Sequence, residues 1–210
     1  MDLPKRSDVP PAAPQGLVRA SRAGLARRAA TAVGLCYLAF VAAYAVGFSL
    51  ARPAGGSLGD ARGATREALS SADRFGNLRS ILATNAIAAL GIAALGTLSR
   101  GILSLASVTL FGFWTGMTSG ALHGLGFPGG FLAAYHLTHG VLEVLGLSIA
   151  GAAGFAGGVA FSLYLKTGSL PGRAELRSVG LSLALSLAVL VAAAAIEAYV
   201  TPGIALSYLE

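Results

Sequence analysis

The sequence predicts an all-α protein: a polytopic membrane helix bundle of about five transmembrane helices, with a re-entrant or tilted helix before the fourth span. Two observations carry this. Hydrophobic residues make up 55% of the 210-residue chain and charged ones only 11%, with a mean hydropathy of +0.71; a soluble domain carries about 25% charged residues. The 29 glycines fall mostly inside apolar runs. Soluble helices avoid glycine, whereas membrane helices use it to bring backbones together.

The elements follow in order. Residues 1–28 form a basic tail with Lys5, Arg6, Arg19, Arg22, Arg27 and Arg28. Its first half reads as disordered, and "GLVRASRAGLARRAA" as a short basic helix lying on the membrane. The apolar run 29–51 is long enough to span and exceeds the core of a signal peptide, so it reads as an uncleaved anchor. Pro53, Gly55 and Gly56 break this helix. The segment 52–79 mixes charges at helical spacing and reads as an amphipathic helix in an outer loop. Spans follow at 80–98, 102–123, 141–165 and 179–200, the last two separated by "KTGSLPGRAELRS". The apolar block from about 130 to 165 is too long for one crossing of roughly 20 residues, which is why its start reads as re-entrant or tilted. Residues 203–210 are a short C-terminal tail.

With the N-terminus in the cytoplasm, ten basic residues fall on inner segments and five (Arg52, Arg62, Arg66, Arg74 and Arg79) on outer ones. That bias predicts a multi-pass protein of the bacterial cytoplasmic membrane with a cytoplasmic N-terminus. The net charge of +6 and the pI near 10 are thus explained by topology. No basic patch is interleaved with aromatic residues, so nucleic acid is not an expected partner. Of the basic residues only Lys5 and Lys166 are lysine, a bias typical of GC-rich bacterial coding. Cys36 is the sole cysteine, which excludes an internal disulfide.

In lipid, helices associate through close packing over small residues. Gly112, Gly116, Gly120 and Gly124 recur every four residues in the third span, as do Gly146, Ala150, Gly154 and Gly158 in the fourth. The two ladders are expected to pack these spans within the chain; a homodimer face is the alternative use.

An ionisable group at membrane depth is costly unless paired, so each one is a candidate for function. Asn85, His139, Glu143 and Glu197 qualify, with His136 and His123 nearer the interfaces. His136, His139 and Glu143, at i, i+3 and i+7, share a helix face that suits a metal, but the spacing departs from the H-E-x-x-H pattern of zinc hydrolases. Ser119 and Thr118 near His123 lack an acid partner for nucleophilic catalysis. No phosphate-binding glycine loop is present. The simplest reading pairs His139 with Glu143 one turn away, and leaves Glu197 protonated or bonded to Asn85 or backbone. Proton or ion translocation is its functional counterpart.

"ILATN" (81–85), "GFWTGMTSG" (112–120), "HGVLEVLGLSIAGAAGF" (139–155) and "AAIEAYVTP" (194–202) together resemble the stage II sporulation protein M family. The likeness covers about residues 30–202. By position Asn85 matches the family's early Asn, His139, Gly140 and Glu143 its His-Gly-x-x-Glu, and Glu197, Thr201 and Pro202 its terminal motif. Thr138 stands where a Pro is expected, and Thr115 where an Asn precedes Gly116. Gly140 is expected to permit a bend or close packing where the fourth span enters the membrane. The resemblance implies a non-enzymatic membrane protein without a cofactor. It implies a scaffold or anchor for membrane or extracytoplasmic protein partners, in sporulation-like cell-wall remodelling or in a biosynthetic or export assembly. The alternative is a permease-like transport or immunity component moving a small solute, peptide or ion through a cavity lined by Asn85, His139, Glu143 and Glu197.

Overall fold

A computed structural model of the chain describes residues 15–209 apart from 53–56, 72 and 169. The half-tail with Lys5 and Arg6 that the sequence reads as disordered, and the helix break it expects at Pro53, Gly55 and Gly56, lie outside the described residues. All regular structure is helical: α1 (Gln15–Leu50), α2 (Leu58–Ser71), α3 (Arg74–Ser99), α4 (Ile102–Gly124), α5 (Gly129–Thr167), α6 (Arg173–Tyr199) and α7 (Thr201–Leu206). Five of these, all but α2 and α7, are long and apolar enough to cross a membrane.

Four boundaries differ from the sequence expectation. The basic segment before the first span is no separate surface helix, because α1 runs unbroken from Gln15. It contains no proline, and its scattered glycines do not stop an otherwise Ala-, Leu- and Arg-rich helix. The segment read as a separate re-entrant or tilted helix is likewise the first part of α5, one 39-residue helix. Nothing interrupts it, and at about 1.5 Å per residue it reaches well beyond a hydrocarbon core of about 30 Å. The polar segment 52–79 is divided. Asp73 caps α3, its carboxylate accepting from Phe75 N at 3.1 Å, so the charged residues Arg74 and Arg79 begin the second span. The C-terminal tail, finally, folds back as α7.

α1, α4 and α6 run in one sense, α3 and α5 in the other. α3 passes to α4 through a two-residue turn in which Arg100 (φ 56°) and Gly101 (φ 90°) are left-handed. Gly101 N donates to Gly96 O at 2.7 Å, closing the helix end. α5 is the most buried span and touches α1, α3, α4, α6 and α7. Around it Cys36, Phe40, Ala89, Ile92, Val108, Val144, Leu147, Ala150 and Leu190 form the main core. Leu38, Ile87, Leu98, Ile102, Trp114 and Leu181 point outward, as expected where lipid is the solvent.

Both ladders are used within the chain, but not against each other. The third-span ladder receives α1 in parallel register. A Cβ on Gly112 would meet the backbone of Phe40, one on Gly116 that of Tyr44, and one on Gly120 that of Phe48. Gly47 returns the contact against the backbone of Phe113. Gly124 is exposed and lies outside this groove. In the fourth span Gly146 faces Leu190 and Ser186 of α6, while Gly154 and Gly158 face Ala93, Gly96 and Arg100 at the end of α3. Two hydroxyls reinforce this packing: Ser186 Oγ donates to Gly146 O and Ser104 Oγ to Ile92 O, each at 2.7 Å.

A second core closes the α2 end of the bundle. Phe127, Phe131, Leu132 and Ala205 are buried there, with Leu58, Ala61 and Leu69 of α2 and Leu209 packed against them.

Candidate intramembrane polar site

The polar residues of the spans gather just beneath this second core. Asn85 begins the buried stripe of α3 that continues through Ala89, Ile92, Ala93 and Gly96. α5 supplies the adjacent Thr138 and His139 and, one turn on, Glu143. α6 runs antiparallel to α5 and brings Glu197 alongside. Thr201 follows where α6 gives way to α7; Pro202, in the first turn of α7, lacks the amide that would continue the ladder.

Thr201 ties this joint to α5. Its side chain is 1% exposed. Its Oγ1 lies 3.0 Å from Thr138 Oγ1 and 3.2 Å from His139 Nδ1, and it donates to Ile196 O at 3.3 Å. Thr138 also donates to Ala134 O. The other ring nitrogen of His139, Nε2, faces Glu197 Oε2 at 3.9 Å, an electrostatic approach too long for a direct hydrogen bond. Tyr135 stands edge-on to the His139 ring, with centroids 6.4 Å apart.

The expected pairing within α5 is therefore replaced. His139 is engaged by α6 and α7, whereas Glu143 faces the Asn85 side chain on α3. Asn85 Nδ2 is buried and outside hydrogen-bonding geometry. Glu143 and Glu197 are close enough to repel each other when both are ionised, and His136 lies close enough to His139 to act on its charge. Asn85, His139, Glu143, Glu197 and Thr201 thus form one cluster drawn from three spans and the α6–α7 joint.

Other sequence candidates fall outside it. His136 Nε2 is buried without a hydrogen-bond partner, and the three residues weighed as metal candidates turn to different neighbours, His136 to Tyr135, His139 to Thr201 and Glu143 to Asn85. Among the described residues no three His, Cys, Asp or Glu side chains are grouped to hold a metal. His123 is exposed and stacks on Phe48 at 5.6 Å. Gly140 does not interrupt α5 and does not pack closely, since a Cβ there would meet nothing within 4 Å. Thr138, noted in the sequence only as a departure from a motif, proves to be Thr201's partner; its signal was a hydroxyl next to an intramembrane histidine.

Beneath the cluster the core is built mainly of Ala89, Ile92, Leu147, Ala150 and Leu190, down to the backbone contacts at Gly154 and Gly158, with the hydroxyls of Ser104, Ser148 and Ser186 buried among them. Chemically the arrangement can hold three helices and a joint in register, and it can carry protons among its own acids and imidazoles.

A comparison with curated proteins and with solved structures finds no match. The family model for stage II sporulation protein M matches residues 28–202, the whole membrane region from the start of the first span to Pro202. The chain is a multi-pass membrane protein and belongs to the stage II sporulation protein M family.

Proposed function

We propose that this protein is a non-enzymatic membrane scaffold that anchors a partner protein or complex. Its N-terminus lies in the cytoplasm and the α2–α7 end faces outward. One observation carries the reading: the polar cluster is confined to one end of the bundle, above an interior closed by glycine-mediated backbone contacts. Such a cluster acts as a clamp. It fixes α7, and through the second core α2, as a platform at the membrane surface. Of that platform Asp60, Gly63 and Arg66 are exposed to a partner. Cell-wall remodelling enzymes and export or biosynthetic assemblies are the partner classes that fit an outward platform on a protein with this family resemblance.

The test is crosslinking in native membranes followed by co-purification. A defined partner should be recovered with the unaltered chain and lost on Gly63→Trp, which adds bulk where nothing lies within 4 Å. Recovery of the same proteins with both chains would count against the platform.

A second reading, a permease-like component, draws on the convergence of Asn85, His139, Glu143 and Glu197. It requires the packed interior to open. Solute flux that Glu143→Gln and Glu197→Gln abolish without unfolding the protein would favour it over the scaffold.

A further inference from the structure

We infer that the Arg100 end of the bundle holds an anionic diacyl phospholipid, one acyl chain lying in a groove between α3, α5 and α6 and the phosphate held by Arg100 and Arg173. The groove has a volume of about 380 Å³. Its walls are Thr97 of α3, Gly157, Phe161 and Tyr164 of α5, and Leu176 and Val179 of α6. From Gly157 to Tyr164 it follows α5 for two turns, about 10 Å, along the membrane normal rather than across it. An elongated apolar ligand fits that shape.

At the end of the groove next to the α5–α6 connection, where Leu170 and Pro171 also line it, cationic side chains stand nearby. Arg173 lies one turn before Leu176 on α6 and so continues that wall toward the membrane surface, while Arg100, in the left-handed turn that closes α3, is held against Ser162, the neighbour of the lining Phe161. Both are exposed. Arg100 is also fixed: it occupies a left-handed turn, and its Nε donates to Ser162 Oγ on α5 at 2.5 Å. That bond uses one of five guanidinium donors and leaves the others for a phosphate, which guanidinium binds in fork geometry. The one acid on the groove, Glu175, accepts from Gly172 N at 2.9 Å in capping α6. Lys166 and Arg177, both exposed at the same end, add to the positive field. Basic pockets between transmembrane helices are established sites for anionic head groups.

The test is native mass spectrometry of the detergent-purified full chain, titrated in parallel with phosphatidylglycerol and phosphatidylcholine. Phosphatidylglycerol should bind more tightly. Arg100→Gln and Arg173→Gln should each weaken it by about fivefold, the equivalent of about 1 kcal/mol per cationic side chain. Arg66→Gln, at the opposite end, should leave it unchanged. Val179→Trp, which fills the groove, should weaken both lipids. Among the described residues Arg173 makes no hydrogen bond or ion pair, so its variant keeps the test valid if Arg100→Gln proves unstable. Equal binding of the two lipids, or equal losses from Arg66→Gln and Arg173→Gln, would overturn the site.

Discussion

His139 Nδ1 and the Thr201 hydroxyl, 3.2 Å apart and 62 residues apart in sequence, join the fourth span to the hinge between α6 and α7. Thr201 is also the partner of Thr138, so one buried hydroxyl serves two side chains of α5. Thr201→Val keeps the shape and removes the hydroxyl. Leaving buried polar groups unpaired costs about 1–3 kcal/mol. The variant should therefore lose stability in that range, while Thr201→Ser stays near the unaltered chain. Unfolding of the purified protein in mixed micelles measures both.

The same geometry ranks the partners of His139. A double-mutant cycle should give a coupling of about 0.5–1.5 kcal/mol between His139→Ala and Thr201→Val, as for a direct hydrogen bond. The cycle between His139→Ala and Glu143→Gln should give less, because Glu143 faces Asn85 instead. A larger coupling to Glu143 would return the pair to a self-contained unit on α5.

The five spans were legible because an unbroken apolar run of about 20 residues matches the thickness of the hydrocarbon core and exceeds what a buried helix of a soluble domain needs. Partner choice was not. A row of small residues reports that a groove exists, not which helix fills it. The Gly112–Gly116–Gly120 groove belongs to α1, whose Phe40, Tyr44 and Phe48 repeat at the same four-residue period in parallel. The polar site was half legible. Composition singles out Asn85, His139, Glu143 and Glu197 as groups that cannot stand alone in lipid. Sequence proximity, however, favours the pair one turn apart on a single helix. Only the antiparallel docking of α6 on α5 and the break at Pro202 reveal that Glu197 and Thr201 reach His139 first.

Glycines of the third-span ladder should differ sharply in tolerance. Gly116→Leu drives a side chain into the Tyr44 backbone, which cannot move as a side chain could. Overpacking costs about 1–3 kcal/mol even where side chains can yield, so loss of the folded protein is expected. Gly124→Leu, at an exposed position, should fold normally. Yield of monodisperse protein after membrane extraction separates the two outcomes.

Gly140 presents the opposite case. It lies within a continuous helix, with nothing near the position of a Cβ. Replacing glycine by alanine inside a helix contributes about 0.5–1 kcal/mol of stability, so Gly140→Ala should unfold later than the unaltered chain. If it also lost partner recovery in the crosslinking experiment, Gly140 would serve an external contact rather than the packing of the bundle.

The proposed orientation makes a last, independent prediction. The Arg100 end carries, besides Arg100, the tail's Arg19, Arg22, Arg27 and Arg28 with Lys166, Arg173 and Arg177, and the α2 end Arg52, Arg62, Arg66, Arg74 and Arg79. Cationic side chains are retained on the cytoplasmic side, so the α2 end should face outward. Cys36, the single cysteine, is buried and can be replaced by alanine to give a silent background. In that background Gly63→Cys on α2 should react with a membrane-impermeant maleimide added to intact cells. Lys166→Cys, exposed at the end of α5, should react only after the membrane is opened. The reverse pattern would turn the bundle over and place the platform of α2 and α7 in the cytoplasm, leaving the clamp intact but excluding cell-wall enzymes as its partners.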